Sequence, residues 1–352
     1  MTRQLLNTLF VTTPGAFARL DGDTVRVDAD GEKLLQVPLL HLGSLVVFER
    51  ASLSPPLMQR CALEGREITF LDYRGRFQCR VVGPTSGNVL LRKAQYDAQA
   101  SDALTLAIAR PIVAGKIKNA RQTLLRAARD VKAEEQVAEL NAQAAFLAVH
   151  LQVLPDMDTL DGIRGIEGQS ASCYFQAFGA MITRDKAEFA FATRTRRPPR
   201  DRVNALLSFV YSLLTHDCVG AAEGVGLDPQ FGFLHCLRPG RPALALDLME
   251  EFRSYIADRL VLTLINRRQI QPEHFEVRPA ESVLLTADGR KIVLTAYQER
   301  KQEEVAHPLL KTKTPLGLVP HLQARLLARH LRRRSSGLSA FHFEMSQQSE
   351  TR

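Results

Sequence analysis

Glu167 lies between Ile166 and Gly168 in the segment IRGIEGQSASCYFQAF, on a helical pattern whose apolar face carries Ile163, Ile166, Cys173 and Phe178. Gly165 and Gly168 flank the acid. Glycine inside a helix costs about 1 kcal/mol relative to alanine, so two of them beside one carboxylate imply that something approaches the backbone there. The plain alternative is a solvated glutamate with glycines that let two helices cross. A second segment reads GFLHCLRPGRPALALDLMEEFR. His235 follows Phe231, Phe233 and Leu234 in a loop fixed by Pro229 and Pro239, and Pro242 then opens a helix carrying Asp247 and Glu250. Residues three apart share one helix face, so in an otherwise apolar helix these two carboxylates need a cation or basic group against them. Glu251 turns about 100° away from Glu250 and is expected to be exposed. One imidazole with two or three carboxylates suits Mn²⁺ or Mg²⁺ better than zinc, because hard oxygen donors dominate and no thiolate is implied. Such an ion polarises phosphoryl oxygen and stabilises charge on an attacking or leaving oxygen.

Other chemistries are missing. There is no GxSxG elbow, no GxxxxGK[ST] phosphate loop and no HExxH zinc helix, and GQSAS at Gly168 to Ser172 lacks the second glycine of a strained elbow. The five cysteines (Cys61, Cys79, Cys173, Cys218 and Cys236) form no CxxC pair, so they read as buried free thiols in a reducing cytoplasm. The first residues, MTRQLLNTLFVTTPG, contain no apolar core of signal-peptide length, and neither export nor a membrane partner is expected.

The net charge of +8 comes from 46 Lys and Arg against 38 Asp and Glu, which favours a polyanionic partner. Tryptophan is absent and aromatics make up 7% of the chain, so phosphate contacts rather than base stacking should dominate any nucleic-acid binding. Basic residues gather in three runs. The first holds Arg110, Lys116, Lys118, Arg121, Arg126 and Arg129 without an acid; the second holds Arg194, Arg196, Arg197, Arg200 and Arg202; the third holds Arg325, Arg329, Arg332, Arg333 and Arg334. Any single run is as well explained by a solvated helix face, but three in one region favour phosphate binding. Lys116, Lys118, Arg121, Arg194, Arg196, Arg197, Arg200, Arg325, Arg329 and Arg332 are the DNA-binding candidates, with Arg238 and Arg241 beside the histidine loop.

The elements that position these residues are of two kinds. The 352 residues are enough for two domains, and 45% hydrophobic with 24% charged residues is an ordinary globular composition. From Leu5 to Val82 short alternating segments are broken by Asp21-Gly22, Asp30-Gly31 and Arg74-Gly75, which is hairpin punctuation, and Ser54 with Pro55 and Pro56 starts one short helix. Turn formers in GPTSGN (Gly83 to Asn88) mark a boundary, giving a β-rich unit at 1–87 and a larger helical unit at 88–352. Helices are predicted at about Val89 to Ala109, Ala114 to Arg129, Glu134 to Val149, Asp158 to Met181, Arg202 to Val219, Arg241 to Leu264 and Val319 to Arg333. In SVLLTADGRKIVLTA (Ser282 to Ala296) two β-like runs flank Asp288-Gly289, which predicts a hairpin inserted in the bundle. The fold class is therefore α+β, a β-sandwich-like first domain followed by an α-helical one.

Four segments, LNTLFVTTPGAFARLDG, GPTSGNVLLRKAQY, IRGIEGQSASCYF and GFLHCLRPGRPALALDLMEEFR, closely resemble the CRISPR-associated spacer-acquisition integrases, the universal adaptation nucleases of Cas systems, and most of all the branch accompanying type I-C systems. The resemblance spans nearly the whole chain. It implies a homodimer formed through the β domains, two such dimers bracketing a dimer of a small ferredoxin-like Cas partner in a heterohexamer, and double-stranded DNA, both spacer precursor and CRISPR repeat, as substrate. It implies catalytic metal ligands at Glu167, His235 and Glu250 for Mn²⁺ or Mg²⁺, separated by 68 and 15 residues, with Asp247 binding a second ion or orienting the first ligands. Glutamate at 250 stands where some relatives carry aspartate. The implied reaction is direct transesterification, in which a 3′-hydroxyl of the incoming DNA attacks a phosphodiester of the repeat in antiviral defence. A metal-dependent repair or defence nuclease acting by hydrolysis would use the same residues, and a DNA-binding scaffold without a catalytic ion would be expected to lack one of them.

Overall fold

The computed structural model describes residues 7–48, 50–73, 75–83, 89–278, 282–307, 313–332 and 338. The chain opens with strands β1 (Thr8–Val11), β2 (Phe17–Asp21), β3 (Thr24–Ala29), β4 (Glu32–Pro38), β5 (Ser44–Phe48) and β6 (Ser52–Leu53), then α1 (Pro55–Leu63), β7 (Glu67–Leu71) and β8 (Phe77–Val81). They form two four-stranded sheets, ordered β1-β5-β7-β8 and β4-β3-β2-β6. The expected turns do their work where β2 meets β3 and β3 meets β4, with Gly22, Asp30 and Gly31 all at positive φ as tight hairpins require. Ser54 caps α1 through the Leu57 amide and Pro55 starts it, again as the sequence predicts.

Alternation along β5 explains how the sheets meet the rest of the chain. Leu45 and Val47 face a small core with Val25, Leu57 and Ile68, whereas Val46 and Phe48 join the large core of the helical region, where Phe48 stacks on Phe209. β5, at the middle of the first sheet, is thus buried on both faces. Most of GPTSGN, residues 84–88, lies outside the described residues, as do Arg74, Arg333 and Arg334.

The helices are α2 (Val89–Gln99), α3 (Asp102–Asp130), α4 (Glu134–Val153), α5 (Leu160–Gln176), α6 (Arg202–Gly224), α7 (Ala243–Glu250), α8 (Arg259–Asn266), α9 (Ala287–Gln302) and α10 (Val319–Leu331). Three helix boundaries differ from those expected: the helix predicted from Asp158 to Met181 ends at Gln176, with a separate 3-10 turn at Gly179–Met181, and the other two lie in α3 and after α7. The break falls at Ser101, whose hydroxyl caps α3 through the Leu104 amide, and α3 continues straight past Pro111. The helix expected from Arg241 to Leu264 is interrupted after Glu250, and a π-helical turn at Arg253–Asp258 leads into α8. α4 and α6 are long and apolar enough to cross a membrane by length and composition alone; α6 is the more deeply buried of the two in the bundle.

The hairpin expected at Ser282 to Ala296 is not formed. β10 (Ser282–Leu285) pairs instead with β9 (Phe275–Arg278), and Asp288-Gly289 sits in the first turn of α9. Thr286 caps that helix through the Gly289 amide at 3.2 Å, and the supposed second strand supplies Val293 and Tyr297, buried one helical turn apart. A pair of short strands, β11 (Glu304–Ala306) and β12 (Lys313–Pro315), precedes α10.

Candidate functional site

The three residues that the sequence marks come from α5, from the loop before α7, and from the end of α7. Thr159 caps α5 through Gly162 N at 3.1 Å, and Glu167 projects from its middle with its side chain 26% exposed. Among the described residues, a Cβ built at Gly165 or Gly168 meets no atom within 4 Å outside the neighbouring turns of its own helix. Among the described residues no helix crosses at these glycines, and they leave an open face along the helix beside the carboxylate.

His235 is held by Asp247, which is fully buried. Asp247 Oδ2 accepts from Phe233 N at 2.6 Å and Leu234 N at 3.0 Å, while Oδ1 accepts from His235 N at 2.9 Å and from His235 Nδ1 at 2.7 Å. Four donors on two oxygens fill this carboxylate, so it orients the histidine loop and is not left with lone pairs for an ion of its own. The loop approaches so closely that a Cβ on Gly232 would lie 2.6 Å from Asp247 Oδ2. Arg164, one turn before Glu167, holds the same loop by donating to Leu234 O at 2.7 Å.

With Nδ1 bound to Asp247, the other imidazole nitrogen faces Glu250: Nε2 lies 3.8 Å from Glu250 Oε1. Glu250 is 2% exposed, and Arg253 Nη1 stands 3.0 Å from Oε1 while Lys116 Nζ stands 2.5 Å from Oε2. Burial alone would push this carboxyl up, but Arg253, Lys116 and His235 together hold it at about 2. The same Lys116 ammonium also pairs with Glu167 Oε1. Glu167 and Glu250 thus converge on one cationic centre, with His235 beside it.

Sequence reasoning placed Lys116 in a DNA-binding run and missed its position between the two acids; it missed Arg253 altogether. The i, i+3 spacing from Glu250 to Arg253 was the available signal. Glu251, expected to be exposed, is 1% exposed: its carboxylate accepts from Gln323 Nε2 at 2.9 Å, and its carbonyl accepts from Asn119 Nδ2 at 2.7 Å. That last bond docks α3 on the end of α7 and sets the depth at which Lys116 enters the site.

The basic runs divide by exposure. Lys118, Arg196, Arg197, Arg200, Arg238, Arg325, Arg329 and Arg332 are exposed. Arg194, by contrast, donates to Asn204 Oδ1 at 2.7 Å and Ser208 Oγ at 3.2 Å and lies over the Tyr211 ring, and Arg121 Nε donates to Ala144 O at 3.2 Å. Both are half-buried and hold contacts within the fold. Arg241 is half-buried. All five cysteines are free, but only Cys61 and Cys218 are buried, while Cys79 and Cys236 are exposed.

Among the described residues, no three His, Cys, Asp or Glu side chains are grouped closely enough to hold a metal ion. Here the Lys116 ammonium lies where the carboxylates meet. The donor set nevertheless fits a hard divalent cation. Two carboxylates already share one positive centre, and an imidazole with Nδ1 engaged has Nε2 at 3.8 Å from Glu250 Oε1.

A family model described as CRISPR associated protein Cas1 matches residues 9–299. A CRISPR-associated endonuclease Cas1 of Moorella thermoacetica is 55% identical over 328 residues, covering 93% of this chain and 96% of the relative. Among solved structures, a casposase bound to integration product superposes with a TM-score of 0.83 at 22% identity, covering 98% of this chain and 96% of that one. A Cas6-RT-Cas1–Cas2 complex superposes with a TM-score of 0.81 at 22% identity, covering 98% of this chain and 37% of that chain.

Proposed function

The chain belongs to the Cas1 family of CRISPR-associated proteins, and from that premise we propose that it is a cytoplasmic metal-dependent DNA endonuclease and integrase, of the type I-C branch, that inserts short duplex DNA into a CRISPR array. The observation that carries this reading is the convergence of Glu167 and Glu250 on a single cation, with His235 Nε2 at 3.8 Å from Glu250 Oε1. The endonuclease name of the Moorella relative and the integration product bound to the casposase agree with it.

Glu167, Glu250 and His235 would hold Mn²⁺ or Mg²⁺, which when bound activates the attacking 3′-hydroxyl and stabilises charge on the phosphodiester. The chain's own residues prepare that site. Asp247 fixes the imidazole with Nε2 outward, and Arg253 keeps Glu250 ionised while lying over the Tyr211 ring at 4.7 Å. The open face along Gly165 and Gly168 lets a strand approach the Glu167 carboxylate without moving protein atoms. Exposed basic residues, Lys118, Arg196, Arg197, Arg200, Arg238, Arg325, Arg329 and Arg332, supply phosphate contacts away from the reacting bond. The functional assembly in this reading is a homodimer joined through the β sheets and paired with a small ferredoxin-like Cas2-type protein in a heterohexamer, in keeping with the Cas1–Cas2 complex among the structural relatives.

The test is strand transfer of a labelled short duplex into a supercoiled repeat-containing plasmid. Glu167→Ala and His235→Ala should abolish manganese-dependent cleavage and joining while leaving duplex binding within about threefold. Full activity in either variant refutes the site, and cleavage without any joining by the wild type replaces integration with hydrolysis.

A further inference from the structure

Lys116 does more in this site than neutralise charge nearby. Its ammonium contacts Glu167 and reaches Glu250 Oε2 at 2.5 Å, so it uses one oxygen of each carboxylate that the proposed function gives to a divalent ion. A hard cation binds such oxygens at about 2.1 Å, and a position that close to both would overlap the ammonium and set two positive centres in contact. An ammonium has three donors and no lone pair, so it cannot join a ligand shell. The two occupants exclude each other.

The surroundings suit an exchange. The side chain of Lys116 is 12% exposed, and α3 is anchored by Asn119 on the Glu251 carbonyl, so the backbone stays while the flexible four-carbon stem moves. Lys116 also borders a small, partly open pocket of about 30 Å³ whose other walls include Ser170, Arg196, Tyr211, Arg253 and Asp258. Arg253, which lines the same pocket, pairs with Glu250 Oε1 from the side and packs on Tyr211, and among the described residues it makes no ion pair with Glu167.

We infer that Lys116 is an internal competitor of the divalent ion: it holds Glu167 and Glu250 together when no ion is bound and must leave them when one binds. This rests on the reading of Glu167 and Glu250 as ion ligands. Its consequence is that ion affinity is set partly by how firmly residue 116 grips the carboxylates, and not by the donor set alone.

The experiment is calorimetric titration of the full chain with MnCl₂, without DNA, for the wild type, Lys116→Met, Lys116→Arg and Glu250→Gln. Lys116→Met should bind Mn²⁺ at least about tenfold more tightly. Lys116→Arg, whose planar fork grips two carboxylates more firmly than an ammonium, should bind it at least about threefold more weakly. Tighter binding by Lys116→Met with unchanged binding by Lys116→Arg would mean simple charge repulsion and overturns the inference, as would equal or weaker binding by both. Should Lys116→Met fail to fold, Lys116→Arg decides alone: weakened binding supports the competitor and unchanged binding overturns it. Equal Mn²⁺ binding by the wild type and Glu250→Gln removes the ion site itself; loss of binding in Glu250→Gln with neither Lys116 variant behaving as stated removes only the competitor.

Discussion

Replacing Asp247 by asparagine is the sharpest test of how the histidine is held, because the side chain keeps its shape and loses one acceptor. In the wild type Oδ2 accepts from Phe233 N and Leu234 N, and Oδ1 accepts from His235 N and His235 Nδ1. An asparagine turned with its NH₂ toward the first pair leaves two buried amide donors facing a donor. Turned the other way, it orphans the His235 amide and can be accommodated by the ring only if Nδ1 becomes the acceptor, which moves the proton to Nε2 and removes the lone pair proposed for the ion. Each lost bond to a charged group is worth about 1.5–3 kcal/mol, so two cost about 3–6 kcal/mol, a large part of the 5–15 kcal/mol typical of a folded protein. At roughly 2 °C per kcal/mol for a chain of this size the melting temperature should fall by about 10 °C. Denaturant titration with an unchanged slope gives the stability, and manganese-dependent cleavage under native conditions gives the activity, which should fall at least about a hundredfold. A loss under about 1 kcal/mol with cleavage intact would show that Asp247 does not hold the loop or the tautomer.

Three further outcomes follow from the same structure. Asp258 is buried, which pushes its carboxyl up to about 6 even though Tyr211 donates to it at 2.6 Å. Because this folded value lies above that of the unfolded chain, the contribution to stability is present below about pH 4 and is lost as pH rises through about 6. Asp258→Asn should therefore be more stable than the wild type by about 1–3 kcal/mol near pH 8, with the gain gone near pH 4; a constant difference across that range in thermal melts refutes it. Gly165→Ala and Gly168→Ala should each stabilise α5 by about 0.5–1 kcal/mol, since the added methyl meets nothing, yet weaken strand transfer if DNA approaches that face; stabilisation with unchanged transfer removes the approach argument. Duplex affinity should fall steeply with salt, by about tenfold or more between 50 and 200 mM, and a nearly flat dependence in a binding titration would take the exposed arginines off the DNA surface.

What could be read from the sequence, and what could not, divides by the range of the interaction. The hairpins at Asp21-Gly22 and Asp30-Gly31 and the cap at Ser54 are decided within a few residues, and they formed where expected. Asp288-Gly289 carries the same local signal and became a helix start, because Thr286 supplies a cap and β10 finds its partner in β9 rather than downstream. Turn residues allow a hairpin without requiring one. At the site, the residue types of Glu167, His235 and Glu250 were legible, as was the shared face of Asp247 and Glu250. Lys116 was not, because its role depends on α3 crossing both α5 and the end of α7, a contact between residues 51 and 134 positions apart. Glu251 was misplaced for the same reason: its partner Gln323 lies on α10, 72 residues away.

The three proposed ligands are positioned relative to one another, not merely by their own elements, and this decides how the site should respond to damage. α5 carries Glu167 and, through Arg164, holds the carbonyl of Leu234; α7 carries Glu250 and, through Asp247, holds the imidazole of His235; α3 carries Lys116 across both carboxylates and, through Asn119, holds the end of α7. Each element thus grips a neighbour within a turn or so of the residue it presents. Such a closed set of clamps couples its members, so substitutions within it should not be additive. Arg164→Ala and Asp247→Asn both free the histidine loop, and once one has done so the other has less to lose. The double variant should therefore be less destabilised than the sum of the two single variants, by about 1 kcal/mol or more in denaturant titrations. Strict additivity would mean that the loop is held at two independent points, and that the spacing between Glu167 and His235 is set by the bundle rather than by Arg164.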